Sequence, residues 1–267
     1  STFEDVATCQ YKRVSDTCIE GYVQAKNVCG HGRYKLYFSL NTDQPFRLEE
    51  QKETTACLTF GKKVRAVEVR IGLSALSSEL ASWECARWEK MDFAELKSQT
   101  GNQWEKQLSA IDVKGGKKDD KVIFYTSLYR AYLSPADVSS PDGAYLGTDG
   151  KVYISEDFRY YSNWSLWDTF RTKFPLLVLT EPARMRDMAT SLIHLYATGK
   201  KDWSTGFEST PTVRTEHAVI LLLDAYRKGI TTLDFRKGYA GMKEEMERLP
   251  MRSPDQKMES AYDLWAM

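Results

Sequence analysis

The 267 residues carry 37 basic and 37 acidic side chains and a formal net charge of zero, so no field of one sign is available to hold nucleic acid or an anionic membrane surface. No apolar run approaches the roughly 20 residues needed to cross a bilayer, and no charged-then-apolar leader precedes Ser1; a soluble chain with any export signal already removed is expected. The five cysteines, Cys9, Cys18, Cys29, Cys57 and Cys85, form no CxxC pair, which excludes a zinc knuckle or a thioredoxin-type motif, and their odd number argues for small buried hydrophobes rather than a disulfide framework.

In chain order, the first predicted elements are strands. Tyr34, Leu36, Phe38 and Leu40 alternate with other residues, as do Val67, Val69, Ile71 and Leu73, which predicts strands with one buried face. Shorter strands are expected around Gly21 and Leu58. An antiparallel sandwich is the economical architecture for this stretch, and it is expected to be incomplete.

From Phe93 the period changes. Phe93, Leu96, Trp104, Leu108 and Ile111 fall at helical intervals, and a loop beginning at Gly115 closes the segment. Val122, Tyr125, Tyr129 and Tyr132 mark a second helix stopped by Pro135, followed by a Gly- and Asp-rich loop over 137–151. Further helices are predicted to begin near Trp164, Pro182, Pro211, Asp234 and Asp255. Gly199 and Gly229 stand where C-terminal caps belong, and Thr210-Pro211 reads as N-cap and first helical residue. Consecutive helices without strands suggest a bundle or an α/α toroid. The expected division is 1–87 as part of a β-sandwich, 88–118 as a linker helix region and 119–267 as part of a helical domain.

Two stretches can carry chemistry. In the first, Tyr160 to Arg171, Trp167, Phe170, Phe174 and Leu177 share one predicted helical face, and Trp164, Asp168 and Arg171 share another. A carboxylate with a guanidinium and an indole beside it can bridge vicinal hydroxyls of a sugar while the ring takes its apolar face; the alternative is a local Asp168–Arg171 ion pair. In the second stretch, Trp203 to His217, Glu208 precedes a predicted helix beside Phe207. Aromatic burial would raise its pKa and suit a general acid, whereas the helix N-terminus favours its charged form. Glu216 and His217 follow. Asn163-Trp164-Ser165 also fits an N-glycosylation acceptor. His31 and His194 show no metal-ligand spacing, so no metal ligands are assigned, and no GxSxG, P-loop or Rossmann fingerprint is present.

The blocks Phe124 to Arg130, Tyr160-Tyr161 through Ser165-Leu166-Trp167-Asp168-Thr169-Phe170-Arg171, and His217-Ala218-Val219 with Asp224-Ala225-Tyr226 and Lys228-Gly229-Ile230 resemble glycoside hydrolase family 92 in order and spacing. Ile19-Glu20-Gly21-Tyr22 and the Tyr34 to Phe38 strand look like the later part of that family's N-terminal sandwich. The resemblance implies an internal piece of a bacterial, periplasmic or secreted exo-α-mannosidase, with a partial antiparallel β-sandwich followed by part of an (α/α)6 toroid. It implies an inverting enzyme that hydrolyses terminal α-linked mannose, α-1,2 foremost, on a mannose-containing glycan. A calcium ion engages the mannose hydroxyls, its ligands outside this chain. Asp168 then belongs to the mannose site with Trp164, Arg171, Trp203 and His217. Glu208 is the candidate general acid, one residue from the ungapped position, and Glu216 is the fallback. An inverting mechanism sets two carboxyl groups roughly 6.5–9.5 Å apart. The family's base lies in a block with no counterpart here, so these residues alone are expected to release no mannose. The competing readings are a non-catalytic carbohydrate-binding protein and another (α/α)6 glycoside hydrolase.

Overall fold

A computed structural model of the chain describes residues 6–26, 33–52, 55–199 and 217–267. Strands β1 (Val6–Arg13), β2 (Cys18–Lys26), β3 (Arg33–Thr42) and β6 (Val69–Ser74) form an antiparallel sheet in the order β1-β2-β3-β6, and β4 (Phe46–Lys52) pairs with β5 (Thr55–Phe60) as a separate ribbon. Helix α1 (Ser78–Ala86) lies across β6 and β3. Its first turn is capped by Ser77, whose hydroxyl accepts from the Leu80 N–H at 3.2 Å.

On β6 the covered face is the reverse of the one the alternation predicts, whereas on β3 the predicted face is the one that buries Tyr34. Val69, Ile71 and Leu73 are 48%, 58% and 53% exposed. Paired through Phe38↔Leu73 and Leu40↔Ile71, they share a face with the large residues of β3. The covered face carries Cys18, Ser39, Gly72 and Ser74, against Ala81 and Cys85 of α1. The reason is distance: a Cβ on Gly72 would stand 1.9 Å from the Ala81 carbonyl oxygen, so the helix can approach only where the strand has no side chain. Period two reveals two faces but does not say which one a helix will cover.

The helical part comprises α2 (Phe93–Leu108), α3 (Lys118–Tyr132), α4 (Leu166–Thr169), α5 (Lys173–Thr180), α6 (Pro182–Thr198), α7 (Ala218–Arg227), α8 (Tyr239–Glu247) and α9 (Pro254–Ala266). Asp92 and Glu95 close a capping box at the start of α2. Helix α6 is the hub: Met185, Met188, Ala189, Leu192, Ile193 and Leu195 are fully buried among α5, α7 and α8. Gly199 adopts φ 105° as the C-cap of α6. Gly229, also at φ 105°, follows α7, where the Ile230 N–H reaches back to the Ala225 carbonyl at 3.0 Å. The Thr210-Pro211 helix start lies outside the described residues, as do Cys29 and His31. The other four cysteines are free thiols.

Between α3 and α4 the chain makes small antiparallel pairs, β7 (Ala136–Asp137) with β10 (Tyr161–Ser162) and β8 (Ala144–Leu146) with β9 (Val152–Ile154). Arg159 pins this region, donating to Asp137 at 2.8 Å and to the carbonyls of Ser139 and Ser140 at 2.8 and 3.0 Å. Tyr145 stacks on Tyr160 with centroids 4.1 Å apart, and its hydroxyl meets His194 Nδ1 at 2.9 Å. No parallel strand pair occurs among the described residues.

Candidate functional site

The segment leading into α4 departs from the predicted single helix. Asn163 takes a left-handed φ of 74°, and the helix begins only at Leu166. Trp164 therefore precedes it and is 1% exposed, its ring 6.0 Å from Phe174 in the helical core. The expected shared face of Trp164, Asp168 and Arg171 is corrected by this turn, which sends the indole inward while the two charged side chains face outward. The alternative Asp168–Arg171 ion pair is not formed either.

Asp168 is exposed, and the Ser165 hydroxyl donates to its Oδ2 at 3.0 Å. Arg171 turns instead to Glu259 of α9, with Nη2 at 3.4 Å from Oε1 and its guanidinium over the Phe170 ring. The same Glu259 oxygen accepts from the Trp167 indole N–H at 3.0 Å. One carboxylate thus fixes both the indole and the guanidinium that flank Asp168 in sequence. Asp168 keeps acceptor lone pairs toward solvent, the arrangement needed to accept from adjacent sugar hydroxyls.

Behind this surface, His217 starts α7 in a left-handed conformation, φ 71° and ψ 12°, which is uncommon for a residue with a side chain. Its Nδ1 meets Asp263 Oδ1 at 3.0 Å, and both side chains are 2% exposed. A carboxylate only accepts, so Nδ1 carries a proton. Nε2 is buried without a hydrogen-bond partner among the described residues. The imidazole packs on Phe170 with centroids 4.3 Å apart, which joins it to the Asp168 segment. Glu259 and Asp263 were not singled out from sequence. Their i,i+4 spacing on one face of α9 was the available signal, and only the packing of α9 against α7 gave it meaning.

Trp203, Glu208 and Glu216 lie outside the described residues, so the structure places Asp168, Arg171 and His217 in one neighbourhood and Trp164 beneath it. A cavity of about 780 Å³ lies between the sheet and the β7–β10 region, lined by Ile71, Leu73, Arg87, Arg159, Ser162 and Asn163. None of the predicted site residues among those described, Trp164, Asp168, Arg171 and His217, lines it. Among the described residues no three His, Cys, Asp or Glu side chains converge as a metal site.

Solved structures of the same architecture identify the class. A family GH92 glycosyl hydrolase, ccman5, superposes with a TM-score of 0.82 at 24% identity, over 99% of this chain and 39% of that one. The family GH92 alpha-mannosidase BT3965 from Bacteroides thetaiotaomicron gives 0.78 at 25% identity, over 91% of this chain and 36% of that one; it is also known in complex with mannoimidazole. The family GH92 inverting mannosidase BT2199 from Bacteroides thetaiotaomicron VPI-5482 gives 0.73 at 22%, over 91% and 35%. No curated protein matches significantly. The fold is thus part of a β-sandwich followed by part of an (α/α)6 toroid, a glycoside hydrolase architecture. The model of the glycosyl hydrolase family 92 catalytic domain matches residues 80–265, and the chain belongs to that family. It spans little more than a third of the length of these relatives.

Proposed function

We propose that the chain is part of an exo-acting α-mannosidase that removes terminal α-linked mannose, α-1,2-linked mannose foremost, from a glycan with inversion at the anomeric carbon. The observation that carries this reading is family membership across residues 80–265, supported by the likeness to an alpha-mannosidase at 25% identity. Inversion is supported by the description of one neighbour as an inverting mannosidase. A periplasmic or secreted location belongs to the same reading.

In this mechanism Asp168 accepts hydrogen bonds from mannose hydroxyls. Trp167 and Arg171, held by Glu259, shape the surface beside it, Trp203 completes the sugar-binding set, and His217 backs the segment from behind through Phe170. Glu208, or failing it Glu216, donates a proton to the leaving oxygen as the glycosidic bond breaks. Water attacks the anomeric carbon from the opposite face and loses its proton to a base outside this chain. Calcium enters through the family alone, with ligands outside these residues, and no step here passes through it.

The test is hydrolysis of α-mannosides by the intact open reading frame, with Asp168→Ala beside it. Mannose release is expected, and the variant should lose about two or more orders of magnitude in kcat/KM while its Tm stays put. No mannose release would favour the carbohydrate-binding alternative. Release of a different sugar would favour another toroid hydrolase. Undiminished kcat/KM in the variant would return Asp168 to an ordinary surface carboxylate.

A further inference from the structure

A second cavity, of about 390 Å³, opens between α2, the end of α3 and the first turn of α6. Gln103, Gln107, Tyr132, Tyr161 and Arg184 line it, with Trp104 beside them. Among the described residues, every polar side chain in this wall can donate a hydrogen bond, and none is a carboxylate. Arg184 stands over the Tyr161 ring at 5.5 Å and donates through Nη2 to the Tyr132 carbonyl at 3.3 Å. It forms no ion pair among the described residues. The carboxylates that act on Tyr161 are those of Asp137 and Asp187, and these are already held by Arg159 at 2.8 Å and Arg186 at 2.7 Å.

A second cation lies nearby without a counter-charge. Lys173 donates to the Ser134 hydroxyl at 3.0 Å and pairs with no carboxylate among the described residues. Burial first, and then the charge of Arg184, push its pKa down to about 8. The Tyr132 hydroxyl is buried with no hydrogen-bond partner among the described residues. Partly desolvated cations without an anion are unfavourable, and a tetrahedral oxyanion supplies both the missing charge and the missing acceptors.

We propose that this cavity is an oxyanion site for a phosphate group, with Arg184 as its principal cation and Gln103 and Gln107, one turn apart on α2, as neutral donors at the rim. The cavity exceeds what phosphate alone occupies, and Trp104 borders the remaining space, so the group can arrive free or as an ester of a small molecule. The site stands independently of the mannosidase reading, because it is tested by binding and not by turnover.

The experiment is calorimetric titration of the full chain with inorganic phosphate and, separately, with glucose 6-phosphate, against sodium chloride at equal ionic strength. Saturable binding is expected, weakened at least about tenfold by Arg184→Gln and by Gln103→Glu. Gln103 is exposed, so the second variant places a like charge on the rim without disturbing a core. Asn102→Glu, the same charge change next to it but off the cavity wall, should bind as the parent does. Tighter binding of glucose 6-phosphate identifies an ester, and equal binding identifies the free anion. Absence of saturable binding, or binding indifferent to both Arg184→Gln and Gln103→Glu, overturns the site.

Discussion

The His217–Asp263 contact makes two buried side chains depend on each other. Removing the carboxylate leaves the Nδ1 proton without an acceptor at a position 2% exposed, and a buried donor left unsatisfied costs about 1–3 kcal/mol. Asp263→Ala should therefore lower stability by about 1–3 kcal/mol in denaturant unfolding. Asp263→Asn, whose side-chain oxygen still accepts from Nδ1, should lose much less. Equal losses would mean that the contact matters for charge and not for the hydrogen bond. Sequence pointed to His217 as a lone histidine beside Glu216 and to Asp168 as a sugar-facing carboxylate. It could not pair His217 with a residue 46 positions away, because that contact exists only once α9 packs on α7.

At the scale of elements, Gly72 decides how α1 meets the sheet. Gly72→Ala puts a methyl group 1.9 Å from a helix carbonyl, so helix and strand must separate, at a cost of about 1–3 kcal/mol. A shift in Tm measures it, and an unchanged Tm would show that α1 is not held there.

The Tyr145–His194 contact ties the β8–β9 hairpin to α6 and has two titrating partners. Burial, then the charge of Lys237, lower the His194 pKa from 6.5 against the opposing pull of Asp157. The neutral ring is the form the fold prefers, so its contribution is complete above 6.5 and lost as the pH falls toward the folded value. Burial, then Tyr153 and Asp149, raise Tyr145 from 10.0 to about 12. The phenol's contribution is accordingly intact below pH 10 and lost as the pH rises toward 12. His194→Asn should flatten the acid side of the Tm profile, and Tyr145→Phe the alkaline side. Profiles parallel to the parent's would show that neither group is linked to folding. The hairpin itself was read from sequence only as a Gly- and Asp-rich loop, because its three-residue strands are too short to show a period.

Across the whole molecule, Val69, Ile71 and Leu73 leave the β6 edge of one sheet face exposed, although Ile19 and Tyr34 are buried on that same face farther along the sheet. An exposed apolar face on an edge strand favours self-association. Ile71→Lys, at a position 58% exposed, should leave the Tm of this chain nearly unchanged and reduce light scattering at high concentration. A large fall in Tm would show that the face is packed in solution.

What the sequence determined by itself was the type of the longer periodic elements and the change from strand to helix along the chain. Period two gave β3 and β6, period 3.6 gave α2, α3 and α6, and Gly199 and Gly229 marked helix ends, because these signals arise from the residues within each element. The motif blocks also carried the family, since their order and spacing lie along the chain. Tertiary structure decided which face of β6 is covered, that Trp164 is core and not platform, and that Arg171 answers to Glu259. Each of these depends on the approach distance between elements far apart in sequence, and no local pattern encodes that distance.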